Sequence, residues 1–181
     1  MADVGTLISF AGLPGTGKST IARLLARETG SVFLRVDEIE TAIRMFEERL
    51  DIGPEGYHVA AALAASNLEL GLDVLIDCVN PWTLTRDIFR AAAARAGAAI
   101  VGVEILCSDA AEHRRRVESR KAEVPGLALP DWEKVVSRDY TPWHDAHLRI
   151  DTARVAAETA VGEIRAVVQA ARRRASAQER T

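Results

Sequence analysis

The amino-acid sequence predicts an α/β fold in which a parallel sheet is flanked by helices on both faces. Strand and helix patterns alternate along most of the 181 residues, which is typical of parallel strands joined by crossover helices. A glycine-rich loop also joins the first strand pattern directly to the first helix pattern. The length suits one good core, so we expect residues 1–181 to form a single domain.

Apolar runs predict five strands, at 7–11, 32–36, 72–77, 99–106 and 148–151. Helical spacing fills the intervals, with expected helix ends at Gly30, Gly71 and Gly97. Asn80 and Pro81 predict the start of a helix, as N-cap and first helical residue. The irregular segment 121–130 precedes a short helix at 132–138. The polar tail 172–181 is expected to fray.

Composition narrows the functional classes. The net charge is −3 and the pI is near 5.8, which argues against nucleic-acid binding as the main role. Two cysteines are too few for a disulfide framework. The longest apolar run, 98–106, is too short to cross a bilayer, and the first residues lack the pattern of a secretion signal. We therefore expect a cytoplasmic protein without membrane association.

The stretch GLPGTGKST at 12–20 matches the phosphate-binding pattern G-x-x-x-x-G-K-[ST] between a strand and a helix. Glycines let backbone N–H groups form a nest for an anion, and the following helix adds the positive end of its dipole. Lys18 would neutralise the β- and γ-phosphates, and Ser19 would ligate Mg²⁺. The pattern predicts a P-loop NTPase fold. The residues expected to bind the nucleotide are Gly12, Gly15, Thr16, Gly17, Lys18, Ser19 and Thr20.

Acidic residues end the second and third predicted strands. Asp37 and Asp77 should lie beside the glycine loop, because ligands bind at the carboxyl ends of parallel strands. Phosphoryl transfer needs a carboxylate that orients the acceptor hydroxyl, and Asp37 is the candidate base; its alternative role is to cap the helix at Glu38. Asp77 is a candidate for holding Mg²⁺ through water or for binding substrate.

Arginines are candidates for closing the site. Arg116 and Arg120 are four residues apart on one predicted helix face, next to an irregular segment that would form a small lid at about 116–138. From there they would clamp a triphosphate, with Arg138 on the other side of the lid. Arg44 and Asn80 are candidates for the acceptor pocket. The alternative for the arginines is a solvated, exposed face.

The segments GLPGTGKST, RVDEIETAIR, LIDCVNP, CSDAAEHRRRVESR, WEKVVSRDYTPW and LRIDTA resemble the small bacterial kinases of the phosphate-loop class, described as AAA-type ATPase-like or kinase-like proteins. More distantly, the chain is similar to chloramphenicol phosphotransferase, zeta toxins, gluconate kinase and polynucleotide kinase. This resemblance implies a five-stranded parallel sheet with an arginine-bearing lid. It also implies a base after the second strand, which matches Asp37, and lid arginines at Arg116, Arg120 and Arg138.

The expected function is transfer of the γ-phosphoryl group of ATP, with Mg²⁺, to a hydroxyl of a small-molecule acceptor. Its catalytic residues would be Lys18, Asp37, Arg116 and Arg120. One alternative is a polynucleotide or nucleotide-sugar kinase, which the acidic pI disfavours. Another is a nucleotide-binding regulatory switch with slow ATP hydrolysis, which a strand-end acid over the nucleotide site disfavours.

Overall fold

The computed structural model describes residues 4–47 and 52–178. Two glycines and a proline at 51–56 predict a break between helices, and Asp51, where that stretch starts, lies outside the described residues. The strands in these residues are β1 (Thr6–Ala11), β2 (Val32–Arg35), β3 (Val74–Asp77), β4 (Ala99–Leu106) and β5 (Leu148–Asp151). The helices are α1 (Lys18–Thr29), α2 (Val36–Glu47), α3 (Glu55–Glu69), α4 (Thr83–Arg95), α5 (Ala110–Ser119), α6 (Trp132–Val136) and α7 (Ala157–Gln178).

The strands form one parallel sheet in the order β2-β3-β1-β4-β5. The predicted five-stranded α/β fold is confirmed. Since β1 lies in the centre, the loop that follows it opens at the middle of the carboxyl edge, between the ends of β3 and β4. That edge is where parallel sheets bind ligands.

Both faces of the sheet are covered by helices. Alternate residues of β1, such as Ile8 and Phe10, face a core built with α1 and α7, while Leu7 faces a core built with α3 and α4. This alternation follows from the two-residue repeat of a strand. The core on the α3 side is rich in alanine, including Ala60 and Ala64, so these helices approach the sheet closely.

Helix α4 begins later than the sequence predicts. Asn80 has a φ of 49°, in the left-handed region, and its side-chain amide donates to Ser9 Oγ at 3.1 Å. The N-cap is Trp82, which exchanges hydrogen bonds with Thr85. The prediction of Asn80 as N-cap and Pro81 as first helical residue is wrong, because the Asn80 side chain turns back onto β1.

Other boundaries shift by a few residues. Strand β2 ends at Arg35 and α2 begins at Val36, so Asp37 lies in the first turn of the helix and is not its N-cap. Strand β3 begins two residues later than predicted, and α6 ends two residues earlier. Helix α5 begins after its N-cap Asp109, whose side chain accepts a hydrogen bond from the Glu112 N–H at 3.0 Å; the pattern of Ser108, Asp109 and Glu112 in the sequence is typical of such a helix start.

The C-terminal segment is more ordered than its composition predicts. Helix α7 continues to Gln178, whereas the sequence predicts fraying from Arg172; residues 179–181 lie outside the described part. Arg172 donates to Thr6 Oγ1 at 3.1 Å and forms an ion pair with Asp73. These contacts, with the first residue of β1 and the residue just before β3, hold the helix where local sequence alone favours fraying.

Among the described residues, no helix is both long and apolar enough to span a membrane.

Candidate functional site

The glycine loop turns sharply between β1 and α1. Gly12 has a φ of 139°, and a Cβ there would lie 2.1 Å from the carbonyl oxygen of Ile105. Gly17 has a φ of 95° and caps α1 in the left-handed conformation. Both positions therefore require glycine. Helix α1 has no acidic residue in its first turn, so the positive end of its dipole faces the loop uncompensated.

Lys18 lies inside the loop. Its side chain is buried, and Nζ donates to the carbonyl oxygen of Leu13 at 2.8 Å. Burial lowers the pKa of the Lys18 ammonium, while the nearby charges of Asp77 and Asp37 act in the opposite direction. An ammonium group desolvated in this way gains most from an anionic ligand, which is the role expected of the lysine in a phosphate-binding loop.

Asp77 ends β3 beside the loop. The residue is 2% exposed, and burial raises the pKa of its carboxyl against the opposing effects of Lys18 and a hydrogen bond from the Ser19 hydroxyl. Within the described part of the chain, Asp77 Oδ2 has no hydrogen-bond partner. Oδ2 lies 3.7 Å from Arg35 Nε, which is too far for a hydrogen bond. A buried acceptor without a hydrogen bond, next to a hydroxyl, fits the oxygen ligands that Mg²⁺ prefers. Ser19 and Asp77 are therefore suited to a magnesium ion.

Asp37 faces the same opening from the first turn of α2. Its side chain is 36% exposed, and Oδ2 lies 3.5 Å from Arg35 Nη2. The charge of Asp37 acts on both Lys18 and Asp77. The structure thus brings together at the carboxyl edge the lysine and the two acids that the sequence singles out. We call this region, centred on Lys18, Asp37 and Asp77, the mouth.

Arg35 is a residue of the mouth that sequence reasoning missed. It is the last residue of β2, is 7% exposed, and pairs in register with Asp77. Its guanidinium donates to Glu123 Oε2 at 3.0 Å from the irregular stretch between α5 and α6. A charged residue inside the otherwise apolar run VFLRV is the signal that could have identified it, because charged side chains are seldom buried without partners.

The two arginines predicted to belong to a lid lie in different surroundings. Arg116 donates to Glu112 Oε1 at 2.7 Å and to Thr152 Oγ1 at 2.8 Å, and the Thr152 hydroxyl lies 2.8 Å from the carbonyl oxygen of Thr16 in the glycine loop. Arg120 follows the end of α5 with an extended backbone, so the expectation that both share a helix face is wrong. Burial lowers the pKa of Arg120, against the opposing charge of Asp37.

The other predicted substrate residues occupy different surroundings. Arg44 forms an ion pair with Glu40 at 3.6 Å, and the charges of Arg44 and Arg138 both oppose the rise in the pKa of Glu40 caused by its burial. Arg138 itself is exposed. Asn80 is fully buried, and its backbone N–H donates to the Tyr57 hydroxyl at 3.2 Å. The structure therefore places Asn80 behind the mouth and not on its surface.

Glu104, on β4, is a second buried acid that sequence reasoning missed. It pairs in register with Ala11 and forms part of the wall of a cavity of about 170 Å³ beside Gly12, Thr16 and His113. His113 Nε2 lies 2.8 Å from the carbonyl oxygen of Pro14 and braces α5 against the loop. A glutamate within the apolar strand sequence AIVGVEIL is the signal that could have identified this position.

The surroundings of Cys78 and Cys107 do not activate either thiol as a nucleophile. Burial raises the pKa of the Cys78 thiol well above its ordinary value, and Cys107 is partly exposed. In residues 4–47 and 52–178, no three His, Cys, Asp or Glu side chains form a cluster that could hold a metal ion by themselves. Mg²⁺ usually keeps several water ligands, so a single hydroxyl and one carboxylate are compatible with it.

A central parallel strand, a glycine loop, a buried lysine and a following helix define this chain as a P-loop NTPase fold. The chain belongs to the family described as "AAA domain", whose match covers residues 7–138. A comparison with curated proteins finds no match.

Solved structures of several kinases share the fold. The APS kinase CysC of Mycobacterium tuberculosis, in complex with AMPPNP and APS, matches with a TM-score of 0.70 and 19% identity, over 92% of this chain and 99% of that one. A sugar kinase of Janibacter matches with a TM-score of 0.66 and 16% identity, over 91% and 95%. A gluconokinase of Sinorhizobium meliloti matches with a TM-score of 0.58 and 19% identity, over 95% and 94%.

Proposed function

We propose that the protein is an ATP- and Mg²⁺-dependent phosphotransferase that moves the γ-phosphoryl group to a hydroxyl of a small-molecule acceptor. The observation that carries this proposal is the position of Asp37, a partly exposed carboxylate in the same mouth as Lys18 and the glycine loop. Phosphoryl transfer to a hydroxyl uses a carboxylate placed in this way to orient the acceptor and to accept its proton.

Each residue has a role that follows from its place. Lys18 and the backbone N–H groups at the start of α1 would hold the β- and γ-phosphates. Ser19 and Asp77 would hold Mg²⁺, which when bound neutralises charge on the phosphate oxygens. Asp37 would accept the proton of the acceptor hydroxyl as the new oxygen–phosphorus bond forms and the bond to ADP breaks.

The arginines complete the proposal. Arg120 lies close enough to Asp37 and Lys18 for its charge to act on both, and would offset the negative charge of the transferred group. Arg116, which donates a hydrogen bond to Thr152 beside the glycine loop, would help to clamp the triphosphate from that side. The neighbours named above support the proposal as far as their names go: one was solved with an ATP analogue, and three are kinases named for small molecules.

The test is phosphate transfer from ATP to a panel of small hydroxyl compounds. Asp37→Asn should lower transfer by about 100-fold or more while ATP binding, followed by a fluorescent analogue, is retained. Lys18→Ala should abolish turnover. Glu38→Gln is the matched control, since Glu38 is adjacent to Asp37 but exposed, and should leave transfer unchanged.

Full transfer by Asp37→Asn would show that another group takes the proton. ATP hydrolysis that no acceptor in the panel changes, in the unmodified protein, would favour a regulatory switch instead.

A further inference from the structure

Arg35 lies between carboxylates that come from three separate parts of the chain. Nη1 is 3.0 Å from Glu123 Oε2, Nη2 is 3.5 Å from Asp37 Oδ2, and Nε is 3.7 Å from Asp77 Oδ2. Glu123 belongs to the lid segment, Asp37 to α2 and Asp77 to β3. The guanidinium presents its donors in a rigid planar fork, so fixing one edge of it also fixes the direction of the others.

The backbone holds Arg35 firmly while its side chain keeps spare donor capacity. The residue closes β2 and pairs in register with Asp77 on β3, and its side chain is 7% exposed. Nε has no hydrogen-bond partner among the described residues. A cation buried in this way depends on the neighbouring carboxylates for compensation, and the shortest of those contacts is with Glu123.

Glu123 connects the lid to this guanidinium. It lies in the irregular stretch between α5 and α6, and its side chain is 52% exposed. The same oxygen, Oε2, also lies 2.7 Å from Arg23 Nη1 of α1. Two arginines on the body of the fold thus share one carboxylate of the lid. Glu123 is the half-exposed partner in this contact, so water can replace it at the guanidinium at a lower cost than in a fully buried pair.

We propose that Arg35 is a positioning residue that couples docking of the lid, through Glu123, to the orientation of the base Asp37. When Glu123 binds, the guanidinium is held so that its other edges face Asp37 and Asp77. When Glu123 leaves, that edge of Arg35 is free and the guanidinium is no longer held in one orientation towards Asp37 and Asp77. This inference rests on the proposed function for the role of Asp37, but the contact between lid and Arg35 does not.

The coupling is measured first without any enzymatic assay. Trypsin cleavage after Lys121, in the lid, reports how often the lid leaves the body of the fold. We expect cleavage about tenfold faster in Glu123→Gln, which removes the contacts with both Arg35 and Arg23, and a smaller increase in Arg35→Met. The double variant should be cleaved no faster than Glu123→Gln alone, because that variant already lacks the contact that Arg35→Met removes. Thermal melting checks that each variant is folded. Glu123→Gln changes a half-exposed side chain and so keeps the test valid even if Arg35→Met does not fold.

Kinetics then separate positioning from a purely structural role. Arg35→Met should lower kcat by about 100-fold with the KM for ATP within about threefold, because the misplaced group acts on the acceptor and not on nucleotide binding. Arg35→Lys should recover part of kcat. Arg23→Met is the matched control: it removes the other partner of Glu123, so it should speed tryptic cleavage without the large loss of kcat.

The outcomes are distinguishable. Unchanged cleavage in Glu123→Gln, or effects that add fully in the double variant, would overturn the coupling. An equal loss of kcat in Arg23→Met and Arg35→Met would overturn the positioning role. If the unmodified protein transfers phosphate to no acceptor, the proposed function fails, while the cleavage rates still decide whether Arg35 holds the lid.

Discussion

Two buried carboxylates lie on the strands that flank β1, Asp77 on β3 and Glu104 on β4, and each is 2% exposed. Glu104 receives hydrogen bonds from the Tyr140 hydroxyl at 2.7 Å, the Trp143 N–H at 2.7 Å and Arg149 Nε at 2.5 Å. Burial alone would raise the pKa of Glu104, but these bonds outweigh it and lower the pKa. Glu104 is an acid whose hydrogen-bonding capacity is used within the fold.

Asp77 shows the opposite balance. Burial raises the pKa of its carboxyl, and in the part of the chain that the structure describes Oδ2 has no hydrogen-bond partner. Buried polar groups are nearly always satisfied in proteins, so an exception demands an explanation. Asp77 and Glu104 are equally buried, so burial alone does not distinguish a site residue from a structural one. The difference between them is that Asp77 has an oxygen without a hydrogen bond, and this marks it as the candidate site residue.

Of the changes that test this contrast, replacing Asp77 should have the largest effect on activity. Asp77→Asn keeps the shape but removes the charge that would hold Mg²⁺, so kcat should fall by about 100- to 1,000-fold. The melting temperature should stay the same or rise, because a buried carboxylate with a raised pKa is removed. Steady-state kinetics and thermal melting check both expectations. Retention of kcat within about threefold would show that Asp77 serves the fold, as Glu104 does.

Replacing Glu104 should reverse this pattern. Glu104→Ala leaves Tyr140, the Trp143 N–H and Arg149 without their acceptor, and should lower the free energy of unfolding by about 3 kcal/mol. Activity per folded molecule should change little, since the carboxylate is already saturated by its partners. Denaturant unfolding and kinetics at low temperature provide the measurement. A stable but inactive variant would instead place Glu104 in the active site.

The contributions of Glu104 and Asp77 to the free energy of unfolding should change with pH in opposite directions. The folded-state pKa of Glu104 is lowered from its ordinary 4.5, so its contribution is fully present above pH 4.5 and is lost as the pH falls through the lowered value. The folded-state pKa of Asp77 is raised from its ordinary 3.8, so its ionisation costs stability as the pH rises above 3.8.

This expectation is measured by unfolding Glu104→Gln, Asp77→Asn and the unmodified protein from pH 3 to pH 7. The difference caused by Glu104→Gln should grow as the pH rises from the acidic end, while that caused by Asp77→Asn should turn in favour of the variant. Slopes of the same sign would mean that the two carboxylates are not in the contrasting states described above.

The smallest effect is expected from Tyr140→Phe. This change removes one of the hydrogen bonds to Glu104 and should cost about 1 kcal/mol of stability with no effect on transfer. Because Glu104 then loses a donor, its pKa should rise towards the ordinary value, and the acid loss of stability should begin at a higher pH. A change in kcat would contradict the separation between the two acids.

The positions of functional residues could be predicted from the sequence where they depend only on the order of neighbouring strands, loops and helices. The glycine loop and the acids after β2 and β3 could be placed because parallel strands bring their carboxyl ends to one edge. The position of Asn80 could not be predicted, because its side chain donates a hydrogen bond to Ser9 on β1, which is 71 residues away in the sequence. The same holds for α7 beyond Arg172, which is stabilised by residues at the start of β1 and just before β3.

Arg35, Glu104 and Glu123 were missed for a related reason. Their partners lie on elements distant in sequence: Arg35 and Glu123 are 88 residues apart, and Glu104 and Arg149 are 45 apart. The register of the sheet and the path of the lid decide such pairs. A charged residue inside an apolar strand is nevertheless visible in the sequence, and it indicates that a partner must exist even when the partner cannot be named.

The position of Cys78 has a consequence for chemical labelling. The thiol follows Asp77, is 3% exposed, and Sγ lies 3.7 Å from the carbonyl oxygen of Phe10 at the end of β1. With its thiolate suppressed by burial, it should resist alkylating reagents as long as β1 and β3 stay together. Cys107 is more accessible and reacts as an internal reference. The ratio of the two labelling rates therefore reports separation of the central strands from within the unaltered chain.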